Sequence, residues 1–211
     1  MPTFRSSLRC LYLTVPVLLF AGVAPSFAAT APTGGLWPCI QRKVPELAAG
    51  QMWSGPPIDN LKWQDDRHVA ELVPVLAAQR TPIDEATKQI DAFASTLGAD
   101  RKERLTLLFA GVFDQINARR SRIMNGIERY AQHQIELSKR IKEESLAVAK
   151  AKKAAGAELD NAKALELEKQ LLWDTRIYDA RQQSMTAVCE SPVLLEQRIF
   201  ALARAIQEKM P

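Results

Sequence analysis

The apolar positions of this chain fall into a repeat of seven over its longest uninterrupted stretch. From Asp100 to about Ala155 there is no proline. Counting in sevens from Phe109 gives Phe109, Ile116, Ile123, Tyr130, Leu137 and Glu144, and the series four residues on gives Phe113, Arg120, Ile127, Gln134, Ile141 and Val148. Nine of these twelve are apolar or aromatic; only Glu144, Arg120 and Gln134 break the pattern. A heptad sustained this long keeps one narrow stripe facing a partner, which predicts a long helix packed as in a coiled coil. Gly111 and Gly126 lie inside it, each costing about 1 kcal/mol against Ala, and mark close packing or bending.

The pattern lapses in "KKAAGAELDNAK", where Gly156 is the expected turn, and resumes through Leu159, Leu167, Leu171, Tyr178, Met185 and Val188, widened by Trp173 and Ile177. Two long helices joined by a short turn run antiparallel, so residue x on one arm should face residue 312 minus x on the other. Ser191-Pro192 reads as an N-cap with proline at the first helical position, opening a last helix at about 192–209 that buries Leu195, Ile199, Leu202 and Ile206.

Two shorter helices precede the long one. Asp65 or Asp66 is placed to cap a segment using Val69, Leu72, Val73 and Leu76, which Pro74 should kink or divide. Thr81-Pro82 offers the next N-cap, followed by Asp84 and Glu85; Ile83, Ile90, Phe93 and Leu97 form its stripe and Gly98 ends it. Residues 29–64 carry Trp37, Trp53, Trp63 and five prolines with no sustained period, and read as an irregular arm. The expected fold is all-α: a small helical bundle base (within 65–211), a long antiparallel coiled-coil-like hairpin at about 100–189, and the Trp/Pro-rich N-terminal arm.

Residues 1–28 have the three parts of a secretory signal: Arg5 and Arg9, an apolar run from Leu11 to Ala24, and Ser26-Phe27-Ala28 as a small-x-small cleavage site. The run is shorter than the ~20 residues of a membrane span and Pro16 interrupts it, so cleavage rather than anchoring is expected, leaving no stable span in the processed protein. The formal charge of +4 then becomes +2 (28 − 2 basic against 24 acidic residues), too balanced to require nucleic acid or an acidic membrane. None of Asn60, Asn117, Asn125 and Asn161 begins a glycosylation sequon, and a bacterial periplasm is the default address.

Cys10 leaves with the signal, so Cys39 and Cys189 remain. In an oxidising compartment an even pair favours one disulfide over two free thiols or an intermolecular bridge, and the absence of C-x-x-C weakens a redox site. That bond would tie the arm to the junction of hairpin and base.

Chemistry is sparse. There is no H-E-x-x-H, G-x-S-x-G, phosphate-binding glycine loop or Ca²⁺-loop series. His68 and His133 are the only histidines; Asp65-x-x-His68 has metal-compatible spacing but reads as a solvated helix start, and His133 as a flank residue. No catalytic set, cofactor site or metal site is expected, and an enzyme is disfavoured. Two groups are candidates for partner binding: Trp37, Trp53 and Trp63, as an aromatic groove or else as core, and Lys150, Lys152 and Lys153 near the hairpin end. The expected function is that of a periplasmic adaptor, assembly factor or chaperone-like scaffold binding a protein of an envelope complex. The alternative is a small-ligand or metal-sensing bundle with the tryptophan arm as lid.

Overall fold

The structure, a computed structural model, describes residues 36–155 and 162–211. The expected signal sequence and the expected hairpin turn at Gly156 lie outside the described residues. Within them are four α-helices and two single-turn 3₁₀ segments, with no strand: α1, Arg67–Ala77; α2, Ile83–Ser95; α3, Arg101–Ala155; and α4, Ala162–Gln207. At 1.5 Å per residue the 55 residues of α3 and the 46 of α4 run about 82 and 69 Å.

The two long helices are antiparallel in nearly the register that the heptads predict. Tyr130 faces 182 by that rule, and its hydroxyl donates to the Arg181 carbonyl at 2.9 Å; Gln134 faces 178, and its Nε2 meets the Tyr178 carbonyl at 3.4 Å. Farther out, Arg140 pairs with Asp174 where the rule gives 172, and Lys152 with Glu168 where it gives 160.

One expectation fails at Ser191-Pro192. No new helix starts there; α4 continues through Pro192, which is buried. Proline inside a helix removes one backbone bond and costs about 3 kcal/mol. Here Cys189, Pro192, Leu195 and Ile199 all face inward on one continuous stripe, and breaking the helix would turn that stripe away from α3. The Ser191 hydroxyl donates back to the Ala187 carbonyl at 3.0 Å, a mid-helix arrangement rather than a cap. Pro74 likewise lies within α1 without dividing it, and α2 begins one residue later than expected, at Ile83, with Pro82 extended (ψ 149°) as its cap.

The base core gathers the first part of α3 (Leu105, Leu108, Phe109, Val112, Ile116) and the last part of α4 (Leu195, Ile199, Leu202, Ile206), all essentially inaccessible to water. Helix α1 packs on α3 and α2 on α4. Gly111 is the reason α1 can approach. A Cβ there would come within 2.5 Å of Val73 Cγ2 and 2.8 Å of the Trp63 ring. Gly126 has no such neighbour; the nearest atom to its would-be Cβ is an Arg129 nitrogen at 3.9 Å.

Two arginines lock the base. Arg198, 7% exposed, donates from two nitrogens to the Leu76 carbonyl and from a third to the Thr81 carbonyl, satisfying acceptors at the end of α1 and in the α1–α2 turn. Its burial lowers its pKa without a paired carboxylate. Arg104 forks onto Asp66 at 2.7 and 3.1 Å and lies 5.2 Å from the centre of the Phe93 ring. Asp66 is also the N-cap of α1, accepting from Val69 N at 3.1 Å, and its Arg104 hydrogen bond holds its carboxyl below the ordinary range. Asp66→Ala removes cap and fork together and should cost about 2 kcal/mol, about 4–8 °C in melting temperature. Because the Asp66 pKa is depressed on folding, this stabilisation is fully present at neutral pH and is lost as pH falls through the lowered value. Thermal melts across pH should therefore show wild type and variant converging in acid.

Candidate functional site

The arm from Leu36 to Asp65 lies along α3 as a strap. The Cys39–Cys189 disulfide joins it to α4, with Cα atoms 5.6 Å apart across a sequence separation of 150 residues. Lys43 pairs with Glu128 at 2.5 Å, the Pro45 carbonyl accepts from Arg120 at 3.3 Å, and the Leu47 amide donates to the Asn117 side chain at 3.3 Å. The arm has almost no secondary structure of its own, so these contacts and the covalent closure of a long loop hold it; by chain entropy such a closure contributes up to about 5 kcal/mol.

The three tryptophans of the arm separate in space. Trp53 is buried, stacked on Phe109 with centroids 4.2 Å apart and planes within 9°, its Nε1 donating to the Pro56 carbonyl at 2.7 Å. Trp63 packs against Gly111 and the base core. Both belong to the packing of the base. Trp37 alone lies up on the hairpin, its Nε1 bonded to the Gln41 carbonyl at 2.7 Å, where it borders an open groove of about 430 Å³ together with Leu36, Ile135, Gln134, Tyr178 and Met185.

Along the hairpin the seam is carried by Ile127, Ala131, Leu137 and Val148 from α3 and Ala164 from α4, all buried. The three residues that interrupt the heptads each meet a polar partner. Arg120, 2% exposed, pairs with Glu196 at 2.6 Å as well as with the arm. Gln134 meets the Tyr178 carbonyl and the Gln182 side chain, both at 3.4 Å. Glu144 faces the buried Asp174, which is paired with Arg140. Burial and the adjacent Asp174 carboxylate push the Glu144 pKa up, against the pull of Arg140, and its Oε2 is enclosed without a hydrogen-bond partner.

Toward the hairpin end, Lys152 pairs with Glu168, while Lys150 and Lys153 are exposed. A feature that sequence reading assigned to the seam lies outside it: Trp173 is 62% exposed, next to Leu172 at 71%, and Leu165, seven residues before Leu172, is 51% exposed. Residues seven apart share a helix face, so this apolar strip runs along the α4 side turned from α3. The signal was present in the sequence as the consecutive Leu171, Leu172 and Trp173, which a single stripe cannot bury together.

His133 is exposed and sits 3.3 Å from Glu136 on its own helix; His68 is exposed at the start of α1. Among the described residues no three His, Cys, Asp or Glu side chains gather closely enough to hold a metal ion, and no helix is long and apolar enough to cross a membrane. No protein-family model, curated protein or solved structure matches the chain.

The Glu144–Asp174 pair gives the hairpin a defined pH response. A carboxyl whose pKa rises on folding binds its proton more tightly in the folded state, so its contribution to stability is fully present below the ordinary glutamate range and is lost as pH rises through the raised value. Glu144→Gln removes the repulsion at neutral pH while keeping a hydrogen-bonding side chain. The expected result is a melting temperature higher by about 2–4 °C at pH 7, the shift that about 1 kcal/mol produces in a chain of this size, shrinking to nothing near pH 4. Equal melting temperatures at pH 7 would show that Arg140 already neutralises the pair.

Proposed function

We propose that this chain is an exported, periplasmic interaction protein: an adaptor, assembly factor or chaperone-like scaffold that presents its α3–α4 hairpin to a protein of an envelope complex. The reading is carried by the strip of Leu165, Leu172 and Trp173 on the outward side of α4. Large apolar side chains held in water on one helix face are characteristic of surfaces that another molecule covers. The signal-like residues 1–28 and the Cys39–Cys189 bond support export to an oxidising compartment. The exposed Lys150 and Lys153, with Lys163 on α4, would add basic groups beside the apolar strip and favour an acidic rim on the partner, while Lys152 and Lys169 are paired with Glu168 and Glu166.

A second reading rests on the groove bordered by Trp37. Its apolar wall from Leu36, Ile135 and Met185 suits a small ligand covered by the arm, with Trp37 as lid, although the groove is open rather than enclosed.

The two readings separate experimentally. A photo-crosslinking residue placed at Leu172 in cells should trap one discrete partner, whereas the same residue at Lys88 on the exposed side of α2 should not. Leu172→Glu together with Trp173→Glu should abolish capture by a probe at Leu165 while leaving the melting temperature within about 1 °C, since exposed positions contribute little to stability. Identical adducts from the Leu172 and Lys88 probes would remove the hairpin as the working surface. Loss of activity in the cell on Trp37→Ala, with none on the double glutamate variant, would favour the ligand reading.

A further inference from the structure

A strongly charged concavity lies on the base, away from both the hairpin strip and the Trp37 groove. It is a cleft of about 550 Å³ between the end of α1, the α1–α2 turn and the middle of α3, lined by Arg80, Arg119, Arg122, Asp114, Gln115 and Trp63 among others. Arg119 and Arg122, three residues apart, stand on one side of α3, and Arg80 reaches the cleft from the turn opposite. All three are exposed, and among the described residues none of their side chains, nor that of Asp114, makes a hydrogen bond or ion pair.

Arginines such as Arg129 and Arg176 are also without a side-chain partner among the described residues, but here three line one cleft. Arg67, Arg104, Arg120 and Arg140 all pair with carboxylates, and Arg198 caps carbonyls. Three positive charges in one cleft repel each other and are placed there at a cost unless an anion joins them. Two features oppose an anion: the Asp114 carboxylate, and the negative end of α1, equivalent to roughly half a charge. Together they offset about one and a half of the three positive charges, so the cleft stays positive. The Leu76 carbonyl at that helix end is already taken by Arg198, which weakens the second term.

We propose that this cleft binds a phosphate-bearing anion, either a free phosphoanion or the phosphate of a lipid headgroup. A planar guanidinium presents two parallel N–H donors that match two oxygens of a phosphate, and three such groups around one volume supply donors for the several oxygens of a phosphomonoester or diphosphate. The Gln115 amide can add a neutral donor, and the partly buried Trp63 gives the wall an apolar part suited to whatever carries the phosphate.

The test uses the full processed chain with pyrophosphate as the soluble probe and phosphatidylglycerol-containing vesicles as the lipid probe, the latter compared with phosphatidylcholine vesicles. Calorimetry should find one pyrophosphate per chain. Arg119→Ala and Arg122→Ala should each weaken it about tenfold, with Arg119→Lys intermediate because it keeps the charge and loses the fork. Lys88→Ala with Lys142→Ala, both exposed and neither lining the cleft, should leave affinity unchanged. Flotation with phosphatidylglycerol vesicles, competed by pyrophosphate and lost in the arginine variants, assigns the headgroup as source; pyrophosphate binding without flotation assigns a free anion. The proposal is overturned if neither probe binds, if the lysine variants weaken binding as much as the arginine variants, or if polyglutamate competes as well as pyrophosphate. These exposed substitutions are expected to fold, and unchanged helical circular dichroism checks it.

Discussion

Everything in this protein is positioned by one seam, the heptad interface of α3 with α4. Its apolar residues bring the helices together but fix their axial register weakly, because one Ile or Leu layer resembles the next. The three polar interruptions distinguish the layers. Arg120 with Glu196, Gln134 with Tyr178 and Gln182, and Glu144 with Asp174 and Arg140 each occur once, and sliding by a heptad would leave buried polar atoms without partners. The interruptions therefore trade some stability for a single alignment. That alignment in turn brings Cys189 to the arm, Arg198 to the end of α1, and the last turns of α4 against Phe109 and Val112.

The seam also explains why α4 ignores its proline. Local propensity favours a break at Ser191-Pro192, but propensity acts on a few residues at about 3 kcal/mol, while the continuing stripe from Cys189 to Ile206 buries four large aliphatic side chains, each contributing roughly 1.5–3 kcal/mol. Tertiary packing wins by magnitude. The consequence for function is that base and hairpin share two unbroken helices rather than meeting at a jointed corner.

Much of this was legible in the residues. A period of seven identified the long helix, its antiparallel return and an approximate register; the cysteine arithmetic found the disulfide; and of the two aspartates read as possible caps, Asp65 and Asp66, the second is the cap. What stayed hidden has a common cause: it depends on which element lies across the way. Arg198 stands three residues after Leu195, on the inward stripe, and that placement was visible; that it meets the Leu76 and Thr81 carbonyls was not, since they are more than a hundred residues distant in sequence. The tryptophans of the arm could not be divided between core and groove without knowing that Gly111 admits α1 and Trp63 so closely. Arg80 joins Arg119 and Arg122 only through the placement of the α1–α2 turn.

A working hairpin needs α3 and α4 to be held in one register out to the apolar strip, for otherwise Leu165, Leu172 and Trp173 would have no fixed position relative to the base. The most direct measurement is the distance between spin labels at Arg129 on α3 and Gln183 on α4, both exposed and on opposite arms. A single narrow distribution on the order of 20 Å, two helix diameters, is predicted, and it should persist when the disulfide is reduced because the seam rather than the bond sets the alignment. A broad distribution, or two resolved populations, in the oxidised protein would mean that the helices slide, and would contradict a hairpin that presents one surface.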